Sequence, residues 1–300
     1  MLGYARTPVG SLGKSLARVP AHELGATAAR AALDRAGLTA ADPKEWIIGC
    51  VGATGNDAYI SRRVSIEAGA PVESTAMTVN RLCGSAMQAI ALAAELMVGE
   101  SDLVVAGGVE NMSAQPFLDF SARSGATLGD RTVMDGTTAM VTDPFSRQQM
   151  GITAENVAAR FGVSRQVQDE FAAERGLAPV AELVDFTKVG IAPHIMGYAP
   201  KPAIEKILAR NALSASDVGW IELNEAFAAQ AVPVIRDLGL DPSTVNPLGG
   251  AIAWGHPVGA TGAIITARAI ENIVKNDLTY GLASMCIGGG QAVASLWQAL

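Results

Sequence analysis

A chain of 300 residues with 49% hydrophobic and only 17% charged residues has enough apolar surface for one large or two small packed domains, which excludes a disordered or fibrous protein. Its formal net charge of -7 repels a phosphate backbone, so nucleic acid is not an expected partner. No apolar run reaches the ~18–20 residues that span a bilayer, and Met1 to Arg6 has no apolar signal core; no membrane span and a cytoplasmic location are expected. Cys50, Cys83 and Cys286 are too few and too scattered for a disulfide framework or a zinc site, so a reducing compartment with thiols free for chemistry is expected.

In chain order, an alanine-rich helical stretch runs to Gly37-Leu38-Thr39-Ala40-Ala41-Asp42 and on to Trp46-Ile47. A β-type run, Thr75–Val79, precedes Asn80 and a turn. Ala89, Leu92, Ala93 and Leu96 follow at helical spacing. Asp102–Gly108 is an apolar run of the length that a strand buried on both faces needs. From Ser113 to Met150 the chain becomes rich in Gly, Ser, Thr and Asp, which predicts an inserted loop region. Thr153 is a candidate cap for a helix running to Arg160.

The first pattern then returns. Ala212-Leu213-Ser214-Ala215-Ser216-Asp217 leads to Trp220-Ile221, Thr78-Val79-Asn80 recurs as Thr244-Val245-Asn246, and Ile264, Ile265, Ala269 and Ile273 repeat the helical spacing. Gly281–Cys286 repeats the buried strand. Three matches in one order and one structural context predict a duplicated α/β unit.

Cys83 stands between the run Thr75–Val79 and the helix starting near Gly84-Ser85. The positive end of a helix macrodipole there favours thiolate and predicts a pKa below about 8.5. Gly84, Ser85 and Ala86 are small enough to admit a substrate carbonyl. An inert buried thiol would fit the same position. The glycine-rich stretch Gly249–Gly262 holds His256 at its centre and makes it a candidate base. Its spacing does not fit Gly-x-Gly-x-x-Gly with a following acid, which sets dinucleotide binding aside. His22 and His194 have no comparable surroundings. Cys286 closes a predicted strand and runs into Gly288-Gly289-Gly290, where backbone N–H groups lie beside a thiol, a setting for proton transfer and oxyanion binding. Asn224 ends the run Trp220–Leu223; it is either a ligand-facing amide at a strand end or a cap for a helix from Glu225.

Together these segments resemble thiolases: Asn80-Arg81-Leu82-Cys83-Gly84-Ser85-Ala86-Met87-Gln88-Ala89, Asn224-Glu225-Ala226-Phe227-Ala228, Gly249-Gly250-Ala251-Ile252-Ala253 with Gly255-His256-Pro257, and Cys286-Ile287-Gly288-Gly289-Gly290. Arg6-Thr7-Pro8, Gly108-Val109-Glu110-Asn111-Met112 and Met150–Glu155 carry the similarity along nearly the whole chain. Val79–Cys83 looks more like the degradative 3-ketoacyl-CoA thiolases of fatty acid β-oxidation than the biosynthetic type, and Gln149 agrees, because biosynthetic members usually carry histidine there.

The resemblance implies an acyl-CoA C-acyltransferase of the thiolase fold, with two half-domains in stacked α-β-α-β-α layers and an inserted loop domain. The implied division is 1–112, 113–175 and 176–300. By the same resemblance Cys83 is the acylated nucleophile, His256 its base and Cys286 the acid/base of the second half-reaction. One oxyanion hole uses His256 and a water held by Asn224; the other uses the N–H groups of Cys83 and Gly288. Met150, Met196 and Phe227 line the acyl and pantetheine pocket. Coenzyme A is then a substrate, no metal or other cofactor is expected, and the assembly is a homodimer or homotetramer.

Two departures stand out. The similarity begins inside what should be the first strand. After Asp169–Ala173 the chain passes directly to Arg175–Pro179, so a segment the size of a small domain, the CoA-gripping loop domain with the last strand of the first half, is missing. Losing a central strand should cost more than the about 5–15 kcal/mol that holds a domain together, which favours a segment that exists but stands outside this sequence. The alternatives are a thiolase-like protein without full activity, and a Cys-His-Asn protease built on Cys83, His256 and Asn224, whose chain order and missing local signature count against it. A ketoacyl synthase would place histidine where Cys286 stands.

Overall fold

The computed structural model describes residues 1–97, 103–125, 128–164 and 181–299. The helix α1 (Ala21–Arg35) leads into β1 (Glu45–Gly49). After a short 3-10 turn, α2 (Ile60–Ala68) leads to β2 (Thr75–Val79), and α3 (Ser85–Met97) precedes β3 (Val104–Gly108). These strands form a parallel sheet in the order β2-β1-β3. The segment before α1, where the rest of a first strand is expected, forms no strand among the described residues. It lies instead on the end of α1, where the Arg35 guanidinium donates to the Tyr4 carbonyl at 2.8 Å.

The stretch predicted as a loop carries β4 (Phe117–Leu118) and β5 (Met134–Asp135) as a small antiparallel pair, then α4 (Gly136–Met140). The helix α5 (Met150–Phe161) begins earlier than predicted. Thr153 lies inside its first turn, donating to the Met150 carbonyl at 2.6 Å, so it is not the cap. A local hydroxyl signal misplaces a helix start when the apolar face already begins one turn before.

The second half contains β6 (Ala181–Gly190), α6 (Pro200–Arg210), β7 (Trp220–Leu223) and α7 (Ala228–Asp237). A one-turn helix α8 (Ala251–Trp254), the long α9 (Thr261–Lys275), β8 (Tyr280–Ile287) and β9 (Gln291–Ala299) complete it. The sheet order is β6-β9-β8-β7, with β7 and β8 parallel and β9 antiparallel to both its neighbours.

The duplication is visible in the backbone. Val245 forms a parallel bridge to Ile221, with the Ile221 N–H donating to Thr244 at 2.8 Å and the Asn246 N–H donating to Ile221 at 2.7 Å. Thr244–Asn246 therefore lies beside β7 as Thr78–Asn80 lies beside β1, and β8 flanks β7 as β3 flanks β1. The expected burial of both closing strands holds for one only: β8 is buried from Gly281 onward, whereas β3 is half-buried along its length.

Each copy of the Thr-Val-Asn segment runs into a chemically loaded turn and then a helix, α3 in one half and α9 in the other. These helices cross closely at their N-termini. A Cβ added at Gly262 would stand 2.7 Å from the Met87 nitrogen. The close crossing brings the turn before α3 and the turn before α9 to one place. Ile265, Ala269 and Ile273 of α9 pack with Met87, Met285 and Ile287 in one apolar core, and Ala89 and Ala93 of α3 pack with Ile47 of β1 in another.

The expected missing segment has its junction in residues 165–180, which lie outside the described residues.

Candidate active site

The chain after β2 turns sharply. Leu82 takes a left-handed backbone, φ 47°, which an L-residue adopts at a cost of about 1–3 kcal/mol and keeps only when its surroundings enforce it. They do: Leu82 N–H donates to Asn80 Oδ1 at 3.0 Å, and buried Ser85 accepts from Arg81 N–H at 2.9 Å while donating to the Leu82 carbonyl at 2.5 Å. This turn presents Cys83 on a cavity wall. Gly84, Ser85 and Ala86 do not leave room for a substrate, as the sequence suggested. All three are buried, and a Cβ on Gly84 would stand 2.5 Å from Ile287 Cδ1. Their small size lets α3 pack tightly behind the cysteine.

His256 is placed by Gly255, whose φ of +100° ends α8, a conformation that only glycine adopts freely. The Thr261 hydroxyl lies 2.7 Å from His256 Nδ1 and donates to the Pro257 carbonyl at 3.1 Å. With its proton committed to that carbonyl, Thr261 accepts from Nδ1–H, which leaves the lone pair on Nε2. Nε2 faces the Asn224 amide nitrogen at 3.5 Å. Asn224 Oδ1 is buried with no partner among the described residues. Asn224 caps no helix, because α7 starts at Ala228 after Phe227. Its backbone N–H instead donates to Ser284 at 2.8 Å, tying it to β8.

Cys83, His256, Cys286, Gly288, Met150, Met196 and Phe227 all line one cavity of about 300 Å³, which Leu82, Met140 and Val258 help to make apolar. The Gly288 N–H and the Cys83 N–H both favour the Cys83 thiolate. His22 and His194 do not line it.

Electrostatics correct one expectation. Burial pushes the Cys83 thiol up to about 11, although the two N–H groups pull it back. Loss of water outweighs the helix end because the sulfur is covered. Cys286 is pushed up more strongly, by burial and then by Cys83 beside it. Burial lowers His256 to about 4. At neutral pH the site therefore holds two thiols and a neutral imidazole with an open lone pair, so the nucleophile has to be made by proton transfer to His256.

Several supports lie in or beside the motifs but have no role assigned by the sequence. Thr261 and Ser85 are two. Glu225 is a third: its carboxylate accepts from Asn246 Nδ2 at 2.5 Å and from Ile252 N–H at 3.2 Å, fixing α8 to the strand end that bears Asn224. Buried Arg268 donates to Glu222 at 2.7 Å and to the Gly249 carbonyl at 2.5 Å.

Residues 1–176 match the thiolase N-terminal domain and residues 177–299 the thiolase C-terminal domain. The chain is 35% identical to an acetyl-CoA acetyltransferase of Cupriavidus necator, with 97% of this chain and 96% of that protein covered. That alignment extends over 380 positions against a chain of 300 residues, so at least 80 positions have no counterpart here. A crystal structure of the Bacillus anthracis acetyl-CoA acetyltransferase superposes with a TM-score of 0.94 at 30% identity, covering 100% of this chain and 98% of that one. A human mitochondrial 3-ketoacyl-CoA thiolase in complex with CoA gives 0.93 at 29% identity, over 100% and 97%.

Proposed function

We propose that this chain, which belongs to the thiolase family and is an acyltransferase, cleaves 3-ketoacyl-CoA with CoA, or runs the reverse Claisen condensation, through an acyl group on Cys83. The observation that carries this reading is the convergence of Cys83, His256 and Cys286 on one apolar cavity. His256 Nε2 takes the Cys83 proton, and the thiolate attacks the 3-keto carbon. The C2–C3 bond breaks, its electron pair stays on the α-carbon of acetyl-CoA, and Cys286 protonates that carbon. The thiol of CoA then gives its proton to Cys286 as its sulfur attacks the acyl group. Acyl-CoA leaves, and Cys83 recovers its proton from His256.

Charge on the carbonyl oxygens would be met by Cys83 and Gly288 N–H in one step, and by His256 with a water on Asn224 in the other. The pull of both N–H groups on the Cys83 thiol, and an Asn224 Oδ1 that has no partner among the described residues, support this division. Met150, Met196 and Phe227 supply a soft apolar wall for the acyl and pantetheine chains. Both half-reactions balance with these groups and CoA.

The degradative direction rests on the wording of Val79–Cys83 and on Gln149. The Cupriavidus relative carries the name of an acetyl-CoA acetyltransferase, and the same groups run its condensation in reverse. A cytoplasmic location is part of the proposal, supported by three free thiols that suit a reducing compartment. So is assembly as a homodimer or homotetramer, supported by the open edge of β2, where Met77 is 40% exposed. A thiolase-like protein without full activity is the weaker reading, because each chemical group in the cavity is present.

The test follows acetoacetyl-CoA with and without CoA. Consumption that needs CoA is expected, and none with Cys83→Ala at unchanged thermal stability. Consumption that does not need CoA, or that survives Cys83→Ala, contradicts the reading.

A further inference from the structure

Glu110 belongs to the motif Gly108–Met112, which the chemistry above does not use, yet it is a buried carboxylate between the two arms of the site. Its Oε2 accepts from Val51 N–H at 2.8 Å and its Oε1 from Gly52 N–H at 3.0 Å, with the Cys50 thiol 3.5 Å from Oε1. The Gly259 backbone lies against the same carboxylate, and its N–H favours the ionised form.

Two of these contacts lead toward the reacting groups. Val51 lines the cavity, and its carbonyl accepts from Asn80 Nδ2 at 3.3 Å. Asn80 Oδ1 in turn accepts from Leu82 N–H, the residue whose left-handed turn presents Cys83. On the other side Gly259 stands between His256 and Thr261, the residue that sets the imidazole tautomer. There is no slack in this junction. A Cβ on Gly259 would stand 2.5 Å from Glu110 Oε2, and one on Gly108 would stand 2.3 Å from the Gly259 carbonyl.

We propose that Glu110 is a positioning residue: its carboxylate ties the backbone after β1 to the loop that carries His256, and so fixes the nucleophile relative to its base. The proposal rests on the assignment of Cys83 and His256 as nucleophile and base. Burial raises the Glu110 pKa, while the Val51, Gly52, Cys50 and Gly259 groups act against that rise by favouring the carboxylate. Its charge also acts on Cys83, in the direction that disfavours thiolate. The titratable neighbours are Cys50 beside it and Cys83, with Asp57 acting on Cys50 and His256 on the loop of Gly259.

The experiment compares Glu110→Gln and Glu110→Asp as full chains. Glu110→Gln keeps the shape but turns an NH2 toward backbone donors, whereas Glu110→Asp keeps the charge and loses reach. Misplacement of the reacting pair should lower kcat about tenfold to a hundredfold in both, with KM for acyl-CoA little changed. The pH profile of Cys83 alkylation by iodoacetamide should move to lower pH in Glu110→Gln, where the negative charge is gone, and stay in place in Glu110→Asp. A residue that only stabilised the fold would not split the variants in this way.

If Glu110→Gln does not fold, Glu110→Asp carries the kinetic test. Failure of both to fold makes Glu110 structural and overturns the proposal. So does a kcat within about twofold of wild type in either folded variant, or an alkylation profile in Glu110→Gln that does not move. The parent protein is incubated with acyl-CoA alongside: absence of acyl on its Cys83 would count against the assigned nucleophile, whereas acylation there with unaffected variants counts only against Glu110.

Discussion

The two sheets carry the same repeat, and they are buried very differently. In the first, β2 is an edge strand exposed at Thr75 and Met77, and β3 is half-buried throughout. In the second, β7 is buried at all its positions and β8 at all but Tyr280. The added antiparallel strands β6 and β9 extend that sheet beyond β8. Chemistry divides along the same line. The thin half supplies only Cys83, on a strained turn, whereas the covered half supplies Asn224 and Cys286 from strand ends and His256 from the turn between α8 and α9, held by buried polar bonds. The difference teaches that duplication sets the place of a site, the outer ends of parallel strands, while covering decides which half holds the proton-transfer groups in a water-poor setting.

Four substitutions would break or sharpen that contrast. The largest effect is expected at the covered thiol: Cys286→Ser replaces a proton-transfer group with a hydroxyl that hardly ionises at neutral pH. Acylation of Cys83 should survive and turnover should not, as read by intact mass and by exchange of acetyl-CoA methyl protons with deuterated solvent. Loss of acylation would instead place Cys286 in the making of the nucleophile, and normal turnover would leave it structural.

Next is Arg268→Leu, which strands the buried Glu222 carboxylate without its partner (side-chain exposures 8% and 0%). Removing one member of such a pair typically costs about 3–5 kcal/mol, and urea unfolding should show a lower midpoint. An unchanged midpoint would mean that the second sheet does not depend on this network.

Asn224→Ala removes one expected oxyanion support and should reduce kcat about 10²–10³-fold, slow rather than dead. An unaffected kcat would leave Asn224 with only its tie to Ser284. The smallest effect belongs to the thin half. Met77→Thr on the β2 edge should change unfolding free energy by no more than about 0.5 kcal/mol. A larger loss that depends on protein concentration would show that a second copy covers this strand.

How legible this was in the sequence depends on where the information lies. Cys83, His256, Cys286 and Asn224 sit in short local motifs, and the Thr-Val-Asn repeat is a contiguous segment that pairs with a strand in each half, so both could be read along the chain. The supports could not. Glu110 sits in the motif Gly108–Met112, but its contact with Gly52 across 58 positions, like that of Arg268 with Glu222 across 46, is announced by no local pattern. The raised Cys83 pKa has the same origin: the helix end is local, but burial is assembled with the core of Met285 and Ile287, two hundred positions away. Thr153 shows the converse, a good local cap signal overruled by the packing of Ala154, Val157 and Ala158 on one helix face.

The central claim is covalent, so its most direct test is a stopped incubation with acetyl-CoA or acetoacetyl-CoA, followed by intact mass and peptide mapping. One added acyl group on Cys83 is expected, labile to CoA. Acyl label on Cys50, or turnover with no acyl-enzyme at any time and a fully active Cys83→Ala, would contradict the account.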